Sequence, residues 1–525
     1  MSLSFFFAEI SIEENLEQFL IVLSVSLTVA TISRFFSWFR QIPYTLLLVI
    51  VGLGLAFVNI RLIDLSPELI LEIFLPPLLF EAAWNIKWDE LKKNFLPVIL
   101  LATIGVVICV IGVSFSLSYF TTMPIAIALL VGASLSASDP VAVVALFREL
   151  GASKKLTTLL EGESLLNDGV AVVAFVLLVS IPLGKHTFSL TNSITQFSTF
   201  VGIGVAIGLL IGFGISYLTQ RFDLPLVEQS LTLVSAYGVY LVTEKLGGSG
   251  VIGVVLVGLI LGNFGSRIGM NPRTRLIVSE FWEFLAFLVN SIIFLLIGDQ
   301  INFTDLITHL DLIFIAIIAL IVTRLIAVFA LSYISNLITI VDINLREQTV
   351  LWWGGLRGSV SIALALSVPS ILSERQEVIE TVFGVVLFTL LVQGLTTKLF
   401  LEKLNLIGNQ PIKQEYSELL ARRFALNKVL DYLTAIPPDK NPDIDPEFYS
   451  YEQKLIEGQR TTIEEKIVDL QQKNPELKDI SMKKLRENLL NIEADTYAEL
   501  ILKGELNNDL SPILQEIIAQ EKSDL

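Results

Sequence analysis

The sequence predicts an all-α polytopic membrane protein of about thirteen transmembrane helices followed by a soluble helical tail. Three observations carry that prediction. Of 525 residues, 53% are hydrophobic and only 17% are charged, a balance too apolar for a single soluble core. A bilayer crossing needs about 20 predominantly apolar residues, and such runs recur through the first 400 positions. After Lys398 the composition changes abruptly, to 40 charged residues in the last 125.

Apolar runs interrupted by charge, Pro or Gly place spans near 18–36, 43–60, 68–84, 95–119, 124–147, 156–182, 197–218, 225–243, 247–265, 276–298, 309–336, 347–369 and 377–400. Loop charge tests the division, because cytoplasmic loops collect Lys and Arg. With the N-terminus outside, one alternate set of junctions holds fourteen basic residues, among them Lys87, Lys92, Lys93, Arg148, Lys154 and Lys155. The opposite set holds four: Arg61, Lys185, Lys245 and Arg375. The C-terminus is then cytoplasmic. The opening stretch "MSLSFFFAEISIEENLEQFL" has no basic n-region and carries Glu9, Glu13, Glu14 and Glu17, which argues for a retained first helix instead of a cleaved signal.

The net charge of −16 is shared by both parts, with 20 basic and 28 acidic residues in 1–400 and 16 and 24 in 401–525. It therefore identifies no partner, and nucleic acid is disfavoured. The single cysteine, Cys109, excludes an intrachain disulfide and a Cys-rich metal site. Two domains follow: a membrane domain over 1–400 and a cytoplasmic tail over 401–525. The tail contains helix-like stretches such as "TTIEEKIVDLQQKNPELKDISMKKLRENLL", with "IPPDKNPDIDPEF" as a joint. It has no phosphate loop or metal spacing, so it reads as a solvated helical appendage aiding stability, assembly or regulation.

Ionisable residues inside a span are costly and mark functional sites by default. The candidates are Glu81, Asp139, Glu163, Asp168, Arg324 and Arg357, with Glu280 and Glu283 near one end of the tenth span. In "EGESLLNDGVAVV", helical geometry stacks Glu163 over Asn167 and Ser164 over Asp168. These four side chains share an arc of about 140°, giving the sixth span one polar face. The fifth span reads "VGASLSASDPVAVVALF", where Pro140 removes one helical bond and crowds the Ser136 carbonyl. The twelfth, "LWWGGLRGSVSIALAL", has Gly354, Gly355 and Gly358 around Arg357. Both should be interrupted, and each is fifth in its half if spans one to six and eight to thirteen are repeats. Six-span halves joined through one further span are necessarily inverted, and matched broken helices point to a transporter's binding site. Arg324 is a permanent cation within an apolar helix. Glu163 is its first-choice partner, which leaves Asp168 free to titrate.

The motifs "PPLLFEAAW", "SASDPVAVVALFRELG", "EGESLLNDGVAVVAF" and "WGGLRGSVSIALAL" resemble, in order and spacing, the monovalent cation:proton antiporter-1 family of sodium/proton antiporters and exchangers. The resemblance covers most of residues 15–400. It implies an inverted-repeat transporter with crossing broken helices, usually dimeric, working by alternating access in the bacterial cell membrane without a cofactor. It implies that Asp168 binds cation and proton alternately, with Glu81 and Ser164 adding side-chain oxygens and Ser138 to Pro140 adding backbone oxygens. Asp139 and Asn167 would hold the crossing, Glu163 would pair with Arg324, and Arg357 would have a structural or pH-response role. Ser138 stands where many relatives have Thr, which keeps the hydroxyl. The asparagine-aspartate pair is associated with electroneutral exchange.

Elementary chemistry agrees. Na⁺ is hard and takes oxygen ligands of the kinds present here. Burial favours a neutral carboxylate while a bound cation favours the charged one, so H⁺ and Na⁺ compete. Alternatives are a K⁺/H⁺ antiporter, a channel, a transport-dead sensor, and an intramembrane protease built on "GGSG" at 247–250. The protease reading lacks a base, since His186 and His309 fall in or beside loops. Trp84, Trp88, Trp352 and Trp353 read as interfacial anchors.

Overall fold

The computed structural model describes residues 19–33, 42–58, 62, 66–184, 190–219, 224–266, 270, 272–301, 303–339, 342–407, 410–435 and 445–474, with six isolated positions between 477 and 500. Every regular element among them is helical. The first eighteen residues, Arg34, Arg40, Arg61, Lys185, His186, Arg221 and Arg267 lie outside the described set.

In the first half the helices are α1 (Phe19–Ser33), α2 (Tyr44–Phe57), α3 (a π-helical turn Leu69–Phe74 running into Leu75–Asn85), α4 (Trp88–Lys93), α5 (Phe95–Phe120), α6 (Ile125–Ser134), α7 (Val141–Leu150) and α8 (Lys154–Leu178). There follow α9 (Leu190–Thr219), α10 (Pro225–Lys245), α11 (Gly250–Gly265), α12 (Pro272–Asp299), α13 (Phe303–Thr308), α14 (Leu310–Ile338), α15 (Leu345–Trp353), α16 (Ser359–Leu366) and α17 (Arg375–Lys403). Five of these, α5, α9, α12, α14 and α17, are by themselves long and apolar enough to cross a membrane.

Local chemistry sets the ends. Ser153 caps α8 by accepting from the Leu156 N–H at 3.2 Å, and Asn344 with Glu347 forms a reciprocal capping box on α15. Gly151 closes α7 in the left-handed region at φ 69°, which glycine adopts without steric cost. Hydropathy alone missed α4 and α13, both one and a half turns of mixed composition. It also missed the π-helical turns at Leu69–Phe74, Leu101–Gly105, Leu261–Gly265 and Thr389–Gly394, because an extra residue in one turn does not alter an apolar average.

Packing pairs α2 with α12, α3 with α11, α9 with α11, and α5 with both α6 and α14. The α2–α12 crossing is close enough that a Cβ on Gly52 would lie 2.9 Å from Gly298 Cα. Membrane helices without a solvent-driven hydrophobic force associate through such approaches.

The chain divides into two compact units, Met1–Leu406 and Ile407–Leu525. The second contains an antiparallel pair, α18 (Gln410–Ala435) and α19 (Pro446–Lys473), around Tyr416, Ile463, Ile467 and Leu477. Pro446 takes the first helical position of α19 and Asp445 caps it through the Glu447 N–H at 2.9 Å.

The crossing yields a test. Gly52→Ala forces a methyl group into backbone, an overpacking cost of about 1–3 kcal/mol, and should lower the midpoint of heat-induced aggregation of purified protein. Gly54→Ala, where nothing lies within 4 Å, should leave the midpoint unchanged or raise it.

Candidate functional site

Two interrupted helices meet inside the first unit. Between α6 and α7 residues 135–140 leave the helical ladder, and between α15 and α16 residues 354–358 do the same. The interruptions bond directly to each other, the Asp139 N–H donating to the Leu356 carbonyl at 2.8 Å. Each creates two free helix ends that need partners at a depth without bulk water.

At the end of α6, Arg357 Nη1 donates to the carbonyls of Ser136 and Ala137, both at 2.9 Å. Ser361 Oγ adds a bond to Ala137 O at 3.2 Å. Beyond α15, Arg324 Nη2 donates to Leu351 O at 3.0 Å and its Nε to Trp352 O at 3.2 Å. The two helix starts share one anion: Asp139 accepts from the backbone N–H of Val141 at 3.0 Å and from that of Ser359. Cations at helix C-ends and an anion at N-ends are the favourable arrangement for helix dipoles.

The polar face of α8 engages the first break. Ser164 Oγ donates to Ser138 O. Asn167 grips Ser138 twice, Nδ2 donating to its Oγ at 2.6 Å and Oδ1 accepting from its N–H at 3.2 Å. Glu163 takes Arg324 in a two-bond contact, Oε1 at 2.8 Å from Nη1 and Oε2 at 3.2 Å from Nη2. Both residues are buried, 2% and 8% exposed, so Arg324 does not reach an interface. Asp168 is buried as well, and its Oδ1 has no hydrogen-bond donor. The charges acting on Asp168 are Asp139 and Arg357.

Glu81 is not brought into this network. Its Oε1 accepts from Asn85 Nδ2 at 2.5 Å, and its charged neighbours are Arg148, Glu161 and Glu283. Arg148 and Glu161 pair at 2.7 Å. Glu280 and Glu283 are exposed on α12. Trp84 departs from its reading as an interfacial anchor: it is buried, stacked on Phe80, with Nε1 donating to Ser279 Oγ at 2.9 Å. Trp352 and Trp353 likewise bond to neighbouring helices, at Ile321 O and Thr396 Oγ1, each at 2.9 Å. In "GGSG", Gly247 turns at φ 75° and the Ser249 hydroxyl caps α11, so that serine has a structural task.

Two supporting residues escaped the sequence reading. Thr389, in the π-helical turn of α17, accepts the Arg357 N–H at 3.1 Å; a lone threonine in an apolar run gives no signal of this. Ser361 stood inside a quoted motif, but nothing in the spacing assigned its hydroxyl to the other broken helix. Glycine is required at two positions: a Cβ on Gly355 would overlap the Arg324 guanidinium, and one on Gly358 the Asp139 carboxylate.

Removing one member of a buried pair strands the other charge and costs about 3–5 kcal/mol. Glu163→Gln should therefore reduce the thermal midpoint more than the double replacement Glu163→Gln with Arg324→Gln. Midpoints that fall additively in the double variant would contradict the pairing.

Residues 23–403 match the family described as "Sodium/hydrogen exchanger, transmembrane". The chain is 66% identical over 513 residues to the Na(+)/H(+) antiporter ApNhaP of Aphanothece halophytica, covering 98% of each chain. It is 62% identical over 509 residues to the low-affinity Na(+)/H(+) antiporter NhaS1 of Synechocystis sp., covering 96% of each. Among solved structures, the sodium proton antiporter MjNhaP1 of Methanocaldococcus jannaschii superposes with a TM-score of 0.61 at 21% identity, covering 75% of this chain and 99% of that one, which shows a shared fold. A match across nearly the whole membrane unit, with close relatives matched end to end, makes this chain a member of the sodium/hydrogen exchanger family.

Proposed function

We propose that this protein is a secondary active antiporter, not an enzyme, exchanging Na⁺ for H⁺ across a bacterial cell membrane, with both ions competing for Asp168. The observation that carries this reading is the unpaired oxygen of a buried carboxylate beside a crossing whose other charges sum to zero. Glu163 pairs with Arg324 and Arg357 acts on Asp168, while the four charges of Glu163, Asp139, Arg324 and Arg357 sum to zero. With Asp168 bare the region holds one excess negative charge; with one proton or one Na⁺ it holds none. Reorientation through a low-dielectric interior is therefore favoured for either loaded form and opposed for the empty one. Coupled one-for-one exchange follows.

The ligands for Na⁺ come from the oxygens gathered around Ser138: its carbonyl and hydroxyl, the Ser164 hydroxyl and the Asp168 carboxylate. A hard monovalent ion prefers such donors. Asn167 and Asp139 hold the break in position. Glu81 enters as a carboxylate on the approach and not as a direct ligand, because Asn85 and the Arg148–Glu161 pair occupy its surroundings. Arg357 holds the end of α6 and biases Asp168.

We also propose thirteen crossings, with the N-terminus outside, the tail in the cytoplasm, two copies per assembly and two inverted six-span halves. Helix pairing supports the repeat. Matching α2 with α11, α3 with α12, α5 with α14, α6/α7 with α15/α16, and α8 with α17 converts the α2–α12 contact into α11–α3, and α5–α6 into α14–α15. The α5–α14 contact maps onto itself. The tail, packed around its own core, is proposed to be a cytoplasmic helical appendage aiding stability, assembly or regulation.

Proteoliposomes with an acidic lumen test the reading: external Na⁺ should alkalinise the lumen in the wild type and fail to do so in Asp168→Asn, while that variant stays monodisperse. Wild-type rates in Asp168→Asn would refute the assignment. A cycle moving one net charge would feel about 2.3 kcal/mol per 100 mV, so rates should not change when a potassium ionophore clamps the potential at zero. Competition further requires the sodium concentration for half-maximal rate to rise with acidity, approaching about tenfold per pH unit once the proton-bound form dominates.

A further inference from the structure

We propose that His309 and Glu380 are positioning residues whose ion pair, made and unmade by protonation of the histidine, sets the maximal rate of exchange from one face of the membrane. The proposal rests on the exchange reading above for its assay and acts apart from competition at Asp168. His309 immediately precedes α14, and its Nδ1 contacts Glu380 Oε2 on α17. The Glu380 side chain is 8% exposed, whereas that of His309 is 26% exposed, so solvent protons reach one partner of an otherwise buried contact. Gln376 Nε2 donates to Glu380 Oε1 at 2.7 Å and fixes the carboxylate.

The pair sits where three helices of the crossing are tied. Arg375 at the start of α17 donates through Nε to Val368 O at 2.8 Å and through Nη2 to Leu366 O at 3.1 Å, holding the C-terminal end of α16. Farther along, α14 carries Arg324 and α17 carries Thr389, the two side chains that support the second break. A bond between the beginnings of α14 and α17 therefore fixes the two supports relative to each other. Histidine is the side chain whose charge ordinarily changes between pH 5 and 8. Protonated, His309 attracts the Glu380 carboxylate as an ion pair and holds the arrangement described here; neutral, it holds less.

The short helix α13, which leads into His309, packs on α17 and carries Asp305 in its sequence. Among the described residues, α17 offers Glu377 and Arg375, the latter committed to the carbonyls of α16, with Glu374 just before it, and α14 offers Asp311 in its first turn. The packed helix α5 contributes Tyr119 and Cys109 but no charge. Arg346 and Glu347 of α15 belong to the far end of α14, where Asn336 bonds to Ile343 O at 3.0 Å.

The test separates maximal rate from apparent sodium affinity in oriented proteoliposomes, with pH varied on one face at a time. Wild-type maximal rate at saturating Na⁺ should fall about threefold from pH 8 to pH 6, the size expected of a partly exposed ion pair. The fall should occur only on the face carrying the junctions before α14 and α17. His309→Gln and Glu380→Gln should each abolish that fall and remain at the fast level, with no further change in the double variant. His309→Lys, which keeps a cation at both pH values, should remain slow throughout. All variants should keep the pH dependence of the sodium concentration for half-maximal rate, which reports Asp168 and an intact fold. A wild-type maximal rate indifferent to pH on both faces, or an undiminished fall in His309→Gln and Glu380→Gln, overturns the proposal. Loss of the affinity dependence in the wild type would instead overturn the reading of Asp168.

Discussion

Four helix ends lie deep within the membrane unit, and satisfying them is the constraint from which the rest of the site follows. Interrupting one helix at depth exposes N–H groups on one side and carbonyls on the other, with no bulk water to take them. Interrupting two helices beside each other doubles the problem and offers a common solution. Here one carboxylate, Asp139, serves both starts, while Arg357 and Arg324 each serve one finish. The two arginines then need anions. Glu163 answers Arg324 directly, and the carboxylates acting on Arg357 are Glu163 and Asp168. Asp168 is the carboxylate whose Oδ1 has no hydrogen-bond donor, beside freed carbonyls and two hydroxyls, and the proposed exchange assigns a cation or a proton to it.

How much of this could be read from residues alone depended on whether the cause was local. The positions of the long apolar helices are legible because burial of apolar runs is a local average. The break at Pro140 is legible because a missing N–H and a crowded Ser136 carbonyl are properties of one residue. The loosened segment around Gly354, Gly355 and Gly358 is legible for a similar reason, although why glycine is needed there is not: the bulk they avoid belongs to Arg324 and Asp139 on other helices. The partnership of Arg324 with Glu163 is legible because a guanidinium cannot discharge itself.

What stayed hidden depended on which helix lay next to which. Nothing in the spacing shows that Arg357 reaches the carbonyls of Ser136 and Ala137, more than 200 positions earlier, or that Thr389 takes the Arg357 N–H. Trp84 has the composition of an interfacial anchor and a buried place beside Ser279. Glu81 has the composition of an ion ligand and a place among Asn85, Arg148, Glu161 and Glu283. In each case the side chain suits both settings, and only its neighbours choose between them.

The shared carboxylate has a mechanical consequence. Were α7 and α16 to slide in opposite directions, Asp139 could follow only one of them, and the other would be left with an uncapped start in a dry interior. The direct bond from Asp139 to Leu356 would break in the same movement. Opposed sliding of the two interruptions is therefore resisted at their point of contact, while displacement of both as one piece costs those bonds nothing. In the exchange proposed for this protein, access to Asp168 would change sides with the entire knot carried as one piece and its internal fastenings closed.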